Sequence, residues 1–184
     1  MRIRWRALKG FARRVRDLDR AVFRAVFGVK WTPLTPVMRF FTLVGTAGFL
    51  WGAFAFVAFV LTGLEPARLL IPWAAVAGSW TLAEGTKYLF DRARPFIWDT
   101  EIAPLIKTPS SSSFPSGHSA TAAAGALTLS VIYPTFAPLL ILSGLLVILS
   151  RVYLGVHFPV DVLAGAAIGL ATSGLAFAAA ALLA

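Results

Sequence analysis

The chain holds two histidines, and each sits in a short polar stretch of an otherwise apolar sequence. His118 lies in FPSGHSA, directly behind the serine run Ser110–Ser113. His157 lies in SRVYLGVHFPVD, after Arg151 and four residues before Asp161. An imidazole and a carboxylate four apart meet across one helical turn. The carboxylate can then hold one ring nitrogen while the other faces a substrate. Lys87 and Arg94 stand seven apart, on one face of any helix that continues that far, and Pro95 ends it. PSGH opens an apolar run, which puts Ser116 and Gly117 at a helix N-terminus. Unpaired N–H groups there favour an anion, and a glycine lets the backbone come close to it. Three fixed cations (Lys87, Arg94 and Arg151), one helix N-terminus, two histidines and one aspartate describe a site for a phosphate group. The cations supply the neutralisation that Mg²⁺ supplies elsewhere. No metal ion and no other cofactor is expected, and the absence of cysteine excludes a thiolate nucleophile, a thiolate metal site and a disulfide framework.

These residues lie far apart in sequence, so the chain must fold to gather them. The composition is 58% hydrophobic over 184 residues, which points to a multi-span membrane protein rather than a soluble domain. A crossing helix needs about 20 mostly apolar residues. Five such stretches are expected: residues 40–61, 69–90, 116–132, 138–153 and 160–183. The segments TGLEPAR, 91–115, YPTFAP and the Gly155–Pro159 stretch separate them. Alternate spans reverse direction. The end of the second, the start of the third, the end of the fourth and the start of the fifth therefore share one membrane face, and Lys87, Arg94, His118, Arg151, His157 and Asp161 all fall at those ends. Spans three and five are rich in Ala and Gly, with Gly165 and Gly169 forming a GxxxG step that suits close helix packing in lipid.

With those placements, three motifs carry a family resemblance. KYLFDRARP fits Lys-x6-Arg-Pro, PSGH fits a second signature, and SRVYLGVHFPVD fits Ser-Arg-x5-His-x3-Asp. Together, from Lys87 to Asp161, they resemble the type 2 phosphatidic acid phosphatase superfamily of membrane lipid phosphatases, whose distant members include vanadium haloperoxidases and glucose-6-phosphatase. The resemblance implies that His157 attacks phosphorus and forms a phosphohistidine, that Asp161 orients His157, and that His118 protonates the leaving group. It implies that Lys87, Arg94 and Arg151 bind the non-bridging oxygens, with help from Ser116 and the Gly117 backbone. Motif order and structural context together are far more specific than any one motif. Glu84, one turn before Lys87, reads as its charge partner; Arg92 and Lys107 read as loop charges or headgroup contacts; Phe96, Ile97 and Trp98 read as interfacial anchors.

The net charge of +9 is concentrated at the start, where residues 1–30 carry ten Lys/Arg against Asp17 and Asp19. Trp5, Leu8, Phe11, Val15, Leu18, Val22, Phe23 and Val26 recur between them at helical spacing. The arm, residues 1–33, is therefore expected to be a basic amphipathic interfacial helix on an anionic bilayer surface, and residues 34–184 the transmembrane domain. Nucleic acid is not an expected partner, because a greasy body follows at once. The fold class is thus all-α, a bundle of about five spans behind an interfacial helix, placed in the cell (plasma or inner) membrane. With five spans the arm and the site share a face, which the positive-inside tendency makes cytoplasmic. The expected partner is a membrane lipid phosphate: polyprenyl phosphate or diphosphate, phosphatidylglycerophosphate, phosphatidate or lipid A type. A phosphotransferase using the same intermediate, and a non-enzymatic membrane protein, are the competing readings.

Overall fold

The computed structural model describes the backbone of residues 2–183 and the side chains of residues 10–183, so Trp5 and Leu8 of the amphipathic arm lie outside the described side chains. Among the described residues the chain is all-helical, without a strand. The helices are α1 (Arg2–Gly28), α2 (Leu34–Val44), α3 (Phe49–Leu61), α4 (Pro66–Thr86), α5 (Pro95–Trp98), α6 (Gly117–Ile132), α7 (Ala137–Tyr153) and α8 (Pro159–Leu183). Proline sets several starts: Pro66, Pro95 and Pro159 open α4, α5 and α8, where a missing N–H costs nothing. The stretch read as one first span is two helices bent by 52°. The break is local: Ala47 and Gly48 adopt left-handed φ of 50° and 78°, and a Cβ on Gly48 would lie 2.4 Å from a Val76 methyl.

Two helices, Pro134–Tyr153 and Pro159–Leu183, are long and apolar enough to cross a membrane, and the bent α2–α3 pair makes a third if it counts as one span. Fewer helices pass that test than the five stretches expected from sequence, for a physical reason. Helix α6 has 16 residues, about 24 Å at 1.5 Å per residue. It lies at the centre of the bundle, where Ala120, Ala122, Ala124 and Leu129 are fully buried. A helix wrapped by other helices need not match lipid in length or hydropathy. Helix α4 carries Arg68, Ser79, Thr81 and Glu84, which lower its hydropathy.

The packing of α6 depends on small residues. A Cβ on Gly165 would lie 2.3 Å from the Ser116 carbonyl oxygen, and one on Gly169 would lie 2.2 Å from that of Ala120. Helices α6 and α8 therefore touch backbone to backbone, as the GxxxG step suggests. On the other side Gly125 receives Trp51, which is fully buried with Leu129, Leu140 and Val147. A second apolar cluster (Phe23, Phe27, Ile102, Val152, Phe158 and Val162) docks α1 against the end of α7 and the start of α8.

Candidate active site

The expected convergence of chain segments is present. The end of α4, the loop after it, the start of α6, the end of α7 and the start of α8 meet at one end of the bundle. The Ser116 N–H donates to the Asp161 carbonyl at 3.0 Å, tying the start of α6 to that of α8. Lys87, Arg94, His118, Arg151, His157 and Asp161 all gather there, and most are buried: Arg94, Arg151, His157 and Asp161 are each no more than 4% exposed.

His157 sits in the tight connection between α7 and α8, which a left-handed Gly155 (φ 80°) makes possible. Its Nδ1 stands 3.6 Å from Asp161 Oδ2, just outside hydrogen-bond range. Its Nε2 lies 3.2 Å from Arg94 Nη1. The ring thus presents one nitrogen to the carboxylate and the other to a guanidinium. Burial, followed by the charges of Arg151, Arg94 and Lys87, holds the His157 imidazole well below its usual range, so it stays neutral at ordinary pH. Asp161 is fixed in turn. Its Oδ2 accepts from Ser113 Oγ at 2.5 Å and from the Phe158 N–H at 2.8 Å, which also caps the first turn of α8.

Arg94 is held mainly by the serine loop. Arg94 Nε donates to the Ser111 carbonyl at 2.8 Å, Nη1 to the Val156 carbonyl at 2.8 Å, and Nη2 to the Ser112 carbonyl at 3.1 Å and Ser111 Oγ at 3.2 Å. Lys87 Nζ reaches Glu84 Oε1 at 2.7 Å, the partner expected from sequence, and Ser111 Oγ at 3.4 Å. Arg151 Nη1 donates to Thr42 Oγ1 at 2.6 Å, while its Nε is buried without a hydrogen-bond partner. A buried guanidinium that is incompletely paired is costly unless an anion completes it.

His118 lies in the first turn of α6 and is only half-buried. Its Nε2 is 3.4 Å from Thr46 Oγ1, at the α2–α3 bend. Ser116 is the N-cap of α6; its Oγ accepts from the Ser119 N–H and hydroxyl at 3.4 and 2.9 Å, so its side chain serves the helix. Gly117 has a steric reason: a Cβ there would fall 2.6 Å from Glu84 Oε1.

Several members of this end were not found by sequence reasoning. Arg92 is no loop charge or headgroup contact: it is half-buried and pairs with both Asp19 and Asp161. Asp19, Thr42, Thr46 and Ser111–Ser113 also touch site residues. The serine run carried a signal, being a polar mould directly before PSGH. So did Asp19, a rare acid in a basic arm, at i, i+4 and i+8 with Phe23 and Phe27. Of the residues read as interfacial anchors, Ile97 is 61% exposed, whereas Trp98 packs on Phe158 beneath Arg20 and Arg24.

A helical bundle with paired histidines among buried cations at one end defines a class of phosphate-handling membrane proteins. The chain belongs to the PAP2 superfamily, whose family model matches residues 68–182. A protein of Bacillus subtilis (strain 168) named phosphatidylglycerophosphatase B is 31% identical over 178 residues, covering 85% of this chain and 80% of that one. A Sulfolobus acidocaldarius protein named undecaprenyl-diphosphatase is 40% identical over 89 residues, which is 48% of this chain and only 43% of that protein. Among solved structures, Aquifex aeolicus LpxE superposes with a TM-score of 0.77 at 26% identity, covering 87% of this chain and 94% of its own.

Proposed function

We propose that this chain is an integral-membrane lipid phosphatase that removes a phosphate or diphosphate group from a membrane lipid through a phosphohistidine. The observation that carries the reading is a buried His157 whose Nε2 lies against the Arg94 guanidinium, among buried cations, with a carboxylate behind its Nδ1. The relatives' printed names, an undecaprenyl-diphosphatase and a phosphatidylglycerophosphatase, support lipid phosphates as the substrate class.

In the proposed reaction His157 Nε2 attacks phosphorus while Arg94 exchanges its contact with that nitrogen for a phosphate oxygen. Lys87 and Arg151 Nε take the remaining oxygens, alongside the first N–H groups of α6 at Gly117. As the phosphorus–oxygen bond to the lipid breaks, His118 gives its proton to the leaving oxygen. The Nδ1 proton is held toward Asp161, which balances the positive charge of the phosphorylated ring. Water then attacks phosphorus, gives a proton to His118, and releases phosphate and free His157. The cations carry the charge stabilisation, so no metal is required by this scheme.

The bent α2–α3 pair, α4, α6, α7 and α8 make five crossings, and α1 (within residues 1–33) lies along the interface. On α1, Asp19, Phe23 and Phe27 face the bundle, whereas Phe11 (67% exposed) and Leu18 (66%) continue an apolar stripe away from it, with Arg13 and Arg14 on the remaining side. That division suits a bilayer of anionic headgroups. Because α1 docks at the site end, both face the cytoplasm of a cell-membrane protein under the positive-inside tendency.

The test is phosphate release by the purified protein from a panel of lipid phosphates in EDTA, with acid-labile phosphate trapped on His157. Product analysis with an added alcohol separates a hydrolase from a phosphotransferase. No turnover on any lipid phosphate, with or without acceptor, refutes the reading. Single cysteines at Arg14 and Lys107, labelled on intact cells with an impermeant thiol reagent, test orientation; strong labelling at both overturns the inward-facing site.

A further inference from the structure

Asp161 has two carboxylate oxygens, and they look in different directions. Oδ2 faces His157, Ser113 and the Phe158 N–H. Oδ1 accepts from Arg92 Nη1 at 2.6 Å. The other end of the same guanidinium, Nη2, pairs with Asp19 Oδ2. Asp19 lies on α1, far outside residues 68–182, and its side chain is 1% exposed. Its second oxygen accepts from the Val160 N–H at 2.8 Å, so it caps the first turn of α8 from another helix. Arg92 is itself pinned: its N–H donates to Ser112 Oγ at 3.2 Å, its carbonyl accepts from the Ser113 N–H at 2.9 Å, and its guanidinium lies 4.6 Å from the Phe158 ring centroid. Lys87 and Arg94 on the α4–α6 connection, His118 on α6 and Arg151 on α7 face the other side, toward His157.

We propose that Arg92 and Asp19 are positioning residues for the reaction centre: the ladder Asp19–Arg92–Asp161 fixes the carboxylate that faces His157 and ties it to the N-terminal helix. The inference rests on the reading of His157 as the reacting group. Two buried carboxylates in one place need a shared cation, or they repel and rotate away from their partners. Arg92 supplies it, and so sets which Asp161 oxygen is left for the imidazole. Helix α1, beyond its membrane-facing stripe, becomes part of the support of the site.

The two ends of the ladder carry opposite charge, which separates positioning from scaffolding. Arg92→Gln leaves Asp161 and Asp19 unbalanced, raises the proton affinity of His157, and moves the acid limb of kcat/KM to higher pH. Asp19→Asn keeps an acceptor for the Val160 N–H but removes a negative charge, so the limb moves to lower pH. Arg92→Gln is expected to lower kcat about 10- to 100-fold, as when a carboxylate–histidine support is removed, with KM little changed, and Arg92→Lys to recover part of the loss. The chain has two histidines, so ¹⁵N-imidazole NMR of the full-length protein in detergent reads His157 directly, with His118→Ala assigning the second signal. Opposed displacements in the two variants support the ladder. Folded variants that leave the His157 signals unmoved, while Asp161→Asn moves them, overturn it. If Arg92→Gln fails to fold, Asp19→Asn alone decides by the same signals. Should the ring signals respond as expected but no phosphate ever appear on His157, the reaction proposed above falls and the ladder stands.

Discussion

The two histidines occupy contrasting surroundings. His157 is 2% exposed, with one nitrogen against Arg94 and the other against a carboxylate that three further groups hold. His118 is half-buried, and the one side-chain contact at its ring is a long one, to Thr46 at 3.4 Å. One imidazole is held between Arg94 and Asp161, from two separate chain segments; the other is held more loosely. The difference fits a division of labour. A nucleophile must meet phosphorus in line, and its geometry is worth several orders of magnitude. A group that gives a proton to one oxygen and takes one from another gains from mobility. Support is spent where orientation governs the rate.

The largest expected effect tests the held side. His157→Ala should lower turnover about 10⁴-fold or more, as removal of a nucleophile does elsewhere, and abolish the trapped phosphoenzyme. His118→Ala should cost less, about 10²- to 10⁴-fold, and the loss should shrink on an aryl phosphate whose leaving group needs no proton. Equal losses on both substrates would end the assignment of His118 as the acid. With a neutral His157, kcat/KM should persist below pH 6.5, where an ordinary imidazole would already be protonated. An acid limb at the ordinary value would contradict its electrostatic setting.

The asymmetry was only partly legible in the sequence. The gathering of the motif residues was, because charges and histidines are rare in an apolar chain and their spacing brings them to one end of the helix bundle. Four of the five apolar stretches were legible as single helices, since prolines and glycines break the chain near their ends, whereas the first is two helices bent at Ala47 and Gly48. The support of His157 was not. Arg92 looks like any loop charge until α1 brings Asp19 to it; the Asp19, Phe23 and Phe27 face marks a side of α1 that docks, but not where it docks. Thr42 and Thr46 are ordinary polar residues in an apolar run; the packing of α2 against α7 and of the turn after it against α6 is what brings them to Arg151 and His118. The centrality of α6 was also hidden. The GxxxG step at Gly165 and Gly169 pointed to close packing, but not to α6 as the helix that α8 meets backbone to backbone.

That seam is what the two halves share. His118 rides on α6, and Asp161 opens α8, so their relative position depends on the approach at Gly165 and Gly169. Gly169→Val would drive side-chain atoms into the Ala120 carbonyl, 2.2 Å from the Cβ position. Overpacking of this kind costs about 1–3 kcal/mol. The measurable outcome is a lower unfolding temperature in detergent together with lost turnover; stability and activity both unchanged would mean that the seam does not set the site.

The smallest expected effects compare one hydroxyl from each side. Ser113→Ala removes one of the two donors to Asp161 Oδ2, leaving the Phe158 N–H in place; loss of a hydrogen bond to a charged group costs about 1.5–3 kcal/mol, or roughly 10- to 150-fold in rate if it falls on the transition state. Thr46→Val removes the contact to His118 at a half-open position while keeping side-chain shape. A solvated hydrogen bond contributes about 0.5–1.5 kcal/mol, so the loss should stay near or below about tenfold. The sign of the difference matters more than either value. If Thr46→Val costs more turnover than Ser113→Ala, His118 is the imidazole that needs fixing, and the contrast between a tightly held proposed nucleophile and a loosely held proposed acid is reversed.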